Sequence, residues 1–122
     1  MTGFIFVGLG GAAGAILRYG ISLLPYKGSF PLLTFITNLC GAVLIGYIAG
    51  MAAGKQMPSG LVLFLKTGVC GGFTTFSTFS LETYNLMEQG HYGQAGGYAV
   101  LSVVLCLAGV WCGMALARVT CR

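Results

Sequence analysis

The chain has 122 residues, 57% of them hydrophobic and only 7% charged, at a mean hydropathy of +0.90. Soluble domains carry about 25% charged residues, so this composition excludes one and points to an integral membrane protein. The net charge of +4 rests on six scattered Lys and Arg, too few and too dispersed for a nucleic-acid surface; they are read as topology signals or anion attractors.

A membrane-spanning helix needs about 20 mostly apolar residues. The first such run goes from Gly3 to Leu24 and stops at Pro25. Its start, "MTGFIFVGLGG", lacks a basic leader and stays apolar too long for a cleaved signal, so the span itself is expected to direct insertion. Arg18 stands near its end beside Tyr19. It either snorkels and caps C-terminal carbonyls or draws anions to a mouth.

The second run goes from Pro31 to Ala53. Proline suits a helix start because its missing N–H is unused in the first turn. The stretch "LLTFITNLCGAVLIGYIAG" does not alternate, which excludes a spanning β-strand. Asn38 lies mid-span, and its amide offers two donors. Such a residue bonds a neighbouring helix or lines a path, and both readings stand.

The third run, Gly60 to Met87, holds the most polar part of the chain: "GVCGGFTTFSTFSLETYN", residues 68–85. Adjacent Gly71 and Gly72 each weaken a helix by about 1 kcal/mol relative to Ala, and two β-branched threonines follow. A break here frees carbonyls, which membrane depth tolerates only if protein, ion or water satisfies them. A cation held by the backbone at Gly71 and Thr74 is one reading; a plain kink is the other. Phe73, Phe76 and Phe79 recur every three residues, as on one helix face. Aromatic rings are positive at the edge, so they can touch a small anion without trapping it. Thr74, Thr75, Ser77, Thr78 and Ser80 are woven between them, and Glu82 follows, placed to pair with Arg18 or Lys66 or to orient the helix.

The fourth run goes from Gly96 to Ala117, with Tyr98, Ser102 and Cys106 at four-residue steps along one stripe. Tyr98 reads as an interfacial anchor or as the top of a hydrogen-bonding track. Each span carries small residues at GxxxG spacing: Gly10 and Gly14, Gly46 and Gly50, Gly68 and Gly72, Gly109 and Gly113. Such pairs let backbones approach closely in lipid.

The links "PYKGSF", "GKQMPS" and "EQGHYGQA" are short and fit antiparallel neighbours, so one four-helix transmembrane domain over residues 1–122 is expected. Lys55, Lys66, Arg118 and Arg122 fall on the side of the termini; Arg18 and Lys27 fall nearer the other. So small a bias is compatible with insertion in both orientations, and hence with an antiparallel pair. Cys40, Cys70, Cys106, Cys112 and Cys121 form no CxxC and do not pair with His91, so they read as small apolar residues.

Together these are donors and positive ring edges without deep fixed cations, which suits a small, strongly hydrated anion. Three motifs carry a resemblance. "GGAAGAILRY", "TNLCGAVLIG" and "GVCGGFTTFSTFSLE" resemble, in order, the Fluc/CrcB fluoride channels. The resemblance implies an all-α subunit of four transmembrane helices, the third broken near its middle, that assembles as an antiparallel, dual-topology homodimer in the cell membrane. It implies two fluoride pores per dimer and passive export of fluoride. It implies pore roles for Asn38, Phe76, Phe79, Ser77, Thr78, Tyr98 and Ser102. It also implies a structural Na+ on the backbone carbonyls of Gly71 and Thr74 from both subunits, and matches the family's acid and arginine to Glu82 and Arg18. Cys106 departs from the pattern, standing where a hydroxyl would continue the track. The rival reading is a proton-coupled exporter of the small multidrug resistance type, which should carry a carboxylate in its first span; here that span has only Arg18.

Overall fold

A computed structural model describes residues 1–54 and 57–121. Lys55 and Arg122, two of the cations weighed for topology, lie outside the described residues. Helix α1 covers Thr2–Ser22 and α2 covers Leu32–Ala53. The third span divides. Its first half, α3, runs over residues 59–73 as Ser59–Val62, a wide π-helical stretch Leu63–Cys70 and a last turn Gly71–Phe73; its second half, α4, is Phe76–Glu88. Helix α5 is Tyr92–Thr120. Four units, Thr2–Ser22, Leu32–Ala53, Ser59–Glu88 and Tyr92–Thr120, are long and apolar enough to cross a membrane.

The boundaries have local causes. Helix α1 closes with Leu23 and Leu24 donating back to the Gly20 and Ile21 carbonyls, just before Pro25 would interrupt it. Pro31 caps α2, its carbonyl accepting from Phe35 N–H at 3.1 Å. Helix α5 begins at Tyr92, a turn earlier than Gly96, because Gly90 alone makes the turn. At φ 83° it lets its own N–H reach the Met87 carbonyl at 3.0 Å, and the His91 N–H reach the Leu86 carbonyl at 2.8 Å. This is the left-handed glycine cap that satisfies the last orphan carbonyls of a helix. Gly90→Ala is therefore expected to cost about 1–2 kcal/mol, read as a lower thermal midpoint in detergent. Gly90→Asn should lose less, since Asn tolerates this conformation.

The break in the third span falls two residues beyond the glycine pair. Gly71 keeps helical angles, φ −63° and ψ −38°. Thr74 and Thr75 are extended, at φ −82°, ψ 156° and φ −148°, ψ 120°. β-Branched residues accept extended backbone readily, and Asn38 supplies the hydrogen bonds the helix gives up there. The glycines serve packing instead. A Cβ at Gly72 would overlap the Gly11 carbonyl, and one at Gly68 would sit 2.8 Å from Gly10 Cα.

Two close pairs build the subunit. Helix α1 lies on α3 through Gly10 and Gly14, whose added Cβ atoms would overlap the Phe64 and Val69 carbonyls. Helix α2 lies on α5 through Gly46 and Gly113, which would meet the Val110 and Val43 carbonyls in the same way. In lipid, where apolar burial gives no drive between helices, such backbone contact is what holds them. Helix α4 rests on α5 around Leu86, Ala95 and Tyr98, with Phe30, Phe35 and Phe79 against that cluster.

Candidate functional site

The site is organised by Asn38. Its Nδ2 donates to the Thr75 carbonyl at 3.0 Å, and its Oδ1 accepts from the Thr75 N–H at 2.8 Å. The amide thus replaces a backbone neighbour for Thr75, the second of the two residues between the half-helices. The Thr75 N–H, a donor in this contact, fixes which amide atom is oxygen. Thr75 also caps α4: its Oγ1 accepts from the Thr78 N–H at 3.1 Å. On the other side of the break, Thr74 donates both its N–H and its hydroxyl to the Cys70 carbonyl, at 3.0 and 2.8 Å.

The break takes four carbonyls, those of Gly71, Gly72, Phe73 and Thr74, out of the α-helical ladder. In a continuous helix the Thr75 N–H would serve Gly71 and the Thr78 N–H would serve Thr74. Here those donors go to Asn38 and to the Thr75 hydroxyl. The Gly72 carbonyl has a partner, Arg18, whose Nε donates to it at 3.1 Å. Arg18 therefore sits against the C-terminal end of α3, where a cation complements the exposed carbonyls and the helix dipole.

Glu82 is bound by hydroxyls rather than by Arg18 or Lys66. Tyr98 donates to its Oε1 and Thr34 to its Oε2, both at 2.9 Å. Tyr98 is 0% exposed, so it is a buried donor and not an interfacial anchor. Its ring stands edge-on to Phe79 at 5.0 Å and to Phe30 at 5.4 Å. Phe76 and Phe79 lie 5.5 Å apart. Phe73 precedes the break, so the three rings do not share one helix face; only Phe76 and Phe79 do.

A cavity of about 320 Å³ gathers Asn38, Thr74, Thr75, Phe76, Phe79, Ser102 and Cys106, with apolar residues of α2 and α5 behind them. Its lining carries no charged side chain. Ser102 is 7% exposed, and among the described residues its Oγ is the single buried side-chain polar atom with no hydrogen-bond partner. Buried hydroxyls are normally satisfied, so an orphan on a residue that lines the cavity leaves a hydrogen bond that the subunit itself does not supply. Phe76 is 78% exposed, and the cavity is open on that side of the subunit.

Two further voids adjoin. A 60 Å³ pocket touches Arg18, Thr34, Thr37, Thr75 and Thr78. A cleft of about 280 Å³ includes Phe30, Thr34, Glu82, Asn85 and Gln89. Thr34 lines both of these, and Thr75 lines the small pocket and the main cavity. The structure so brings Asn38, Phe76, Phe79 and Ser102 to one void and Thr78 to the next; Tyr98 stacks on Phe79 beside them. Ser77 is exposed, its Oγ 3.5 Å from the Thr75 hydroxyl. Thr34, Thr37 and Thr75 were missed as site residues. Thr34, Thr37 and Asn38 recur at i, i+3 and i+4, which would have grouped them on one face of α2. Thr75, three residues before Thr78 and just ahead of α4, reads in retrospect as a cap.

These features define a small multi-pass membrane protein with uncharged donors and aromatic rings gathered on a cavity open at one side of the subunit. The chain belongs to the CrcB-like protein family, Camphor Resistance (CrcB), whose model matches residues 5–114. It is 43% identical to a "Fluoride-specific ion channel FluC" of Opitutus terrae, covering 93% of this chain and 90% of that one. It is 44% identical to one of the same name from a Methylobacterium species, over 97% and 98%. A third, from Desulfotalea psychrophila, is 46% identical over 93% and 90%.

Proposed function

We propose that this protein is a fluoride-selective channel that exports the ion passively, works as an antiparallel dual-topology homodimer with two pathways, and holds one structural Na+ between its subunits. The observation that carries the reading is the uncharged cavity with the orphaned Ser102 hydroxyl, in a chain whose relatives are named fluoride-specific ion channels. Fluoride is a small, strong hydrogen-bond acceptor. Replacing its water demands donors, and releasing it demands that none be a full countercharge. Ser102, the second N–H of Asn38 and the edges of Phe76 and Phe79 are such partners.

The carbonyls released at Gly71 and Thr74 fit a hard monovalent cation in chemistry. Two oxygens from one chain are too few to replace a cation's hydration, so a second copy would have to bring its own pair. Bound there, Na+ would tie the two broken spans together by charge. The 78% exposure of Phe76 agrees with a second subunit seated on that face.

A proton-coupled exporter is disfavoured. The acids are Glu82 and Glu88, both in the second half of the third span, and the Glu82 carboxylate is engaged by two hydroxyls. Purified protein in liposomes loaded with fluoride should empty them quickly without a proton gradient, and chloride-loaded liposomes should stay full. Equal release of the two halides, read by ion-selective electrodes, would refute selectivity.

A further inference from the structure

Of the five cysteines, Cys70 is buried, Cys40 and Cys112 are exposed, and the Cys121 thiol leans on the Met51 sulfur at 3.2 Å. Cys106 differs from all of them. It is half-buried and lines the 320 Å³ cavity together with Asn38, Phe76 and Phe79. It stands one helical turn from Ser102, which lines the same void and whose buried hydroxyl has no partner within the subunit. Within the subunit Cys106 therefore borders space that a small molecule can occupy, one turn from a hydroxyl without a partner.

We propose that Cys106 is a modification site within the ion pathway, at which a small uncharged thiol-reactive electrophile stops conduction. The proposal rests on the channel reading above. With benzyl methanethiosulfonate, the Cys106 thiol gives its proton to water and its sulfur attacks the benzyl-bearing sulfur of the reagent. A Cys106 Sγ–S–CH2C6H5 disulfide forms and methanesulfinate leaves. A void of about 150 Å³ accommodates a benzene ring, so the adduct would take up roughly half of this one. It also removes the S–H donor and sets an apolar group beside Ser102. A hydroxyl at this position would be inert to the reagent, so the sensitivity is a property of the cysteine this chain carries.

The test is fluoride efflux from proteoliposomes before and after treatment, with peptide mass spectrometry of each cysteine. Labelling of Cys106 is expected to slow efflux about tenfold, the change that a barrier rise of about 1.4 kcal/mol gives. Dithiothreitol should restore it. The triple variant Cys40→Ala, Cys112→Ala, Cys121→Ala should stay sensitive, and Cys106→Ser should show the same rate with and without reagent. Full efflux from protein labelled at Cys106 would overturn the proposal, as would an unlabelled Cys106 under conditions that label Cys40 and Cys112. Equal slowing of Cys106→Ser would do the same. Absence of efflux before any treatment is a different result: it removes the channel reading, and this proposal with it.

Discussion

Phe79→Ile is expected to slow fluoride efflux by about tenfold or more, with the protein still eluting at its wild-type assembly size. Phe79 is held on both sides. Tyr98 meets it edge-on at 5.0 Å and Phe76 lies 5.5 Å away, while its own ring lines the cavity. Isoleucine fills much of the volume and keeps an apolar side chain against the cluster of Leu86, Ala95 and Tyr98. What it lacks is the positive ring edge. Aromatic edge contacts contribute about 0.5–1.5 kcal/mol, and a loss at the upper end of that range in the crossing state is about a tenfold loss of rate. Phe76→Ile should act in the same direction with less structural disturbance, because that ring is largely exposed within the subunit. Wild-type rates in both variants would take these rings out of the pathway.

Much of the architecture could be read along the chain. Hydropathy and the prolines at 25 and 31 located four spans, since a helix in lipid must be apolar over its whole length and punctuation stands out against it. The glycine pairs marked where backbones touch. They did not say which helices touch: that Gly10 meets Gly68, and Gly46 meets Val110, is a matter of three-dimensional fit between surfaces that all look alike in sequence. The same holds for Arg18. Its partner is the Gly72 carbonyl, 54 residues on, and backbone acceptors leave no mark in a sequence.

The third span shows where pattern reasoning fails and why. Helical periodicity placed Phe73 with Phe76 and Phe79, yet a periodicity holds only while the helix does. Glycine weakness located the interruption at Gly71 and Gly72, but intrinsic preference is a small term beside a tertiary hydrogen bond. The actual break lies where Asn38 can take over both backbone groups of Thr75. The π-helical stretch Leu63–Cys70 likewise has no signature in residue type that separates it from an ordinary helix. Asn38 was legible as important because an amide in lipid needs partners. Its role as the element that stabilises the break needed the fold.

That role sets the last expectation. Asn38→Asp should abolish fluoride efflux, falling by about 100-fold or more, and should also lower the thermal midpoint. The substitution is nearly isosteric, and one carboxylate oxygen can still accept from the Thr75 N–H. The other would face the Thr75 carbonyl, where Nδ2 now donates at 3.0 Å, so a donor becomes a second acceptor. A buried group stripped of its partner costs about 1–3 kcal/mol, and two opposed lone pairs add to this. The new charge would also lie in an uncharged void and repel an anion, each 1.4 kcal/mol or so of added barrier being about tenfold in rate. Asn38→Leu separates the two effects. It removes both hydrogen bonds without adding charge, so it should also lower the thermal midpoint but retain more efflux than Asp. If Asn38→Asp conducted fluoride at the wild-type rate, neither the link between α2 and the broken span nor the neutrality of the cavity would matter to permeation.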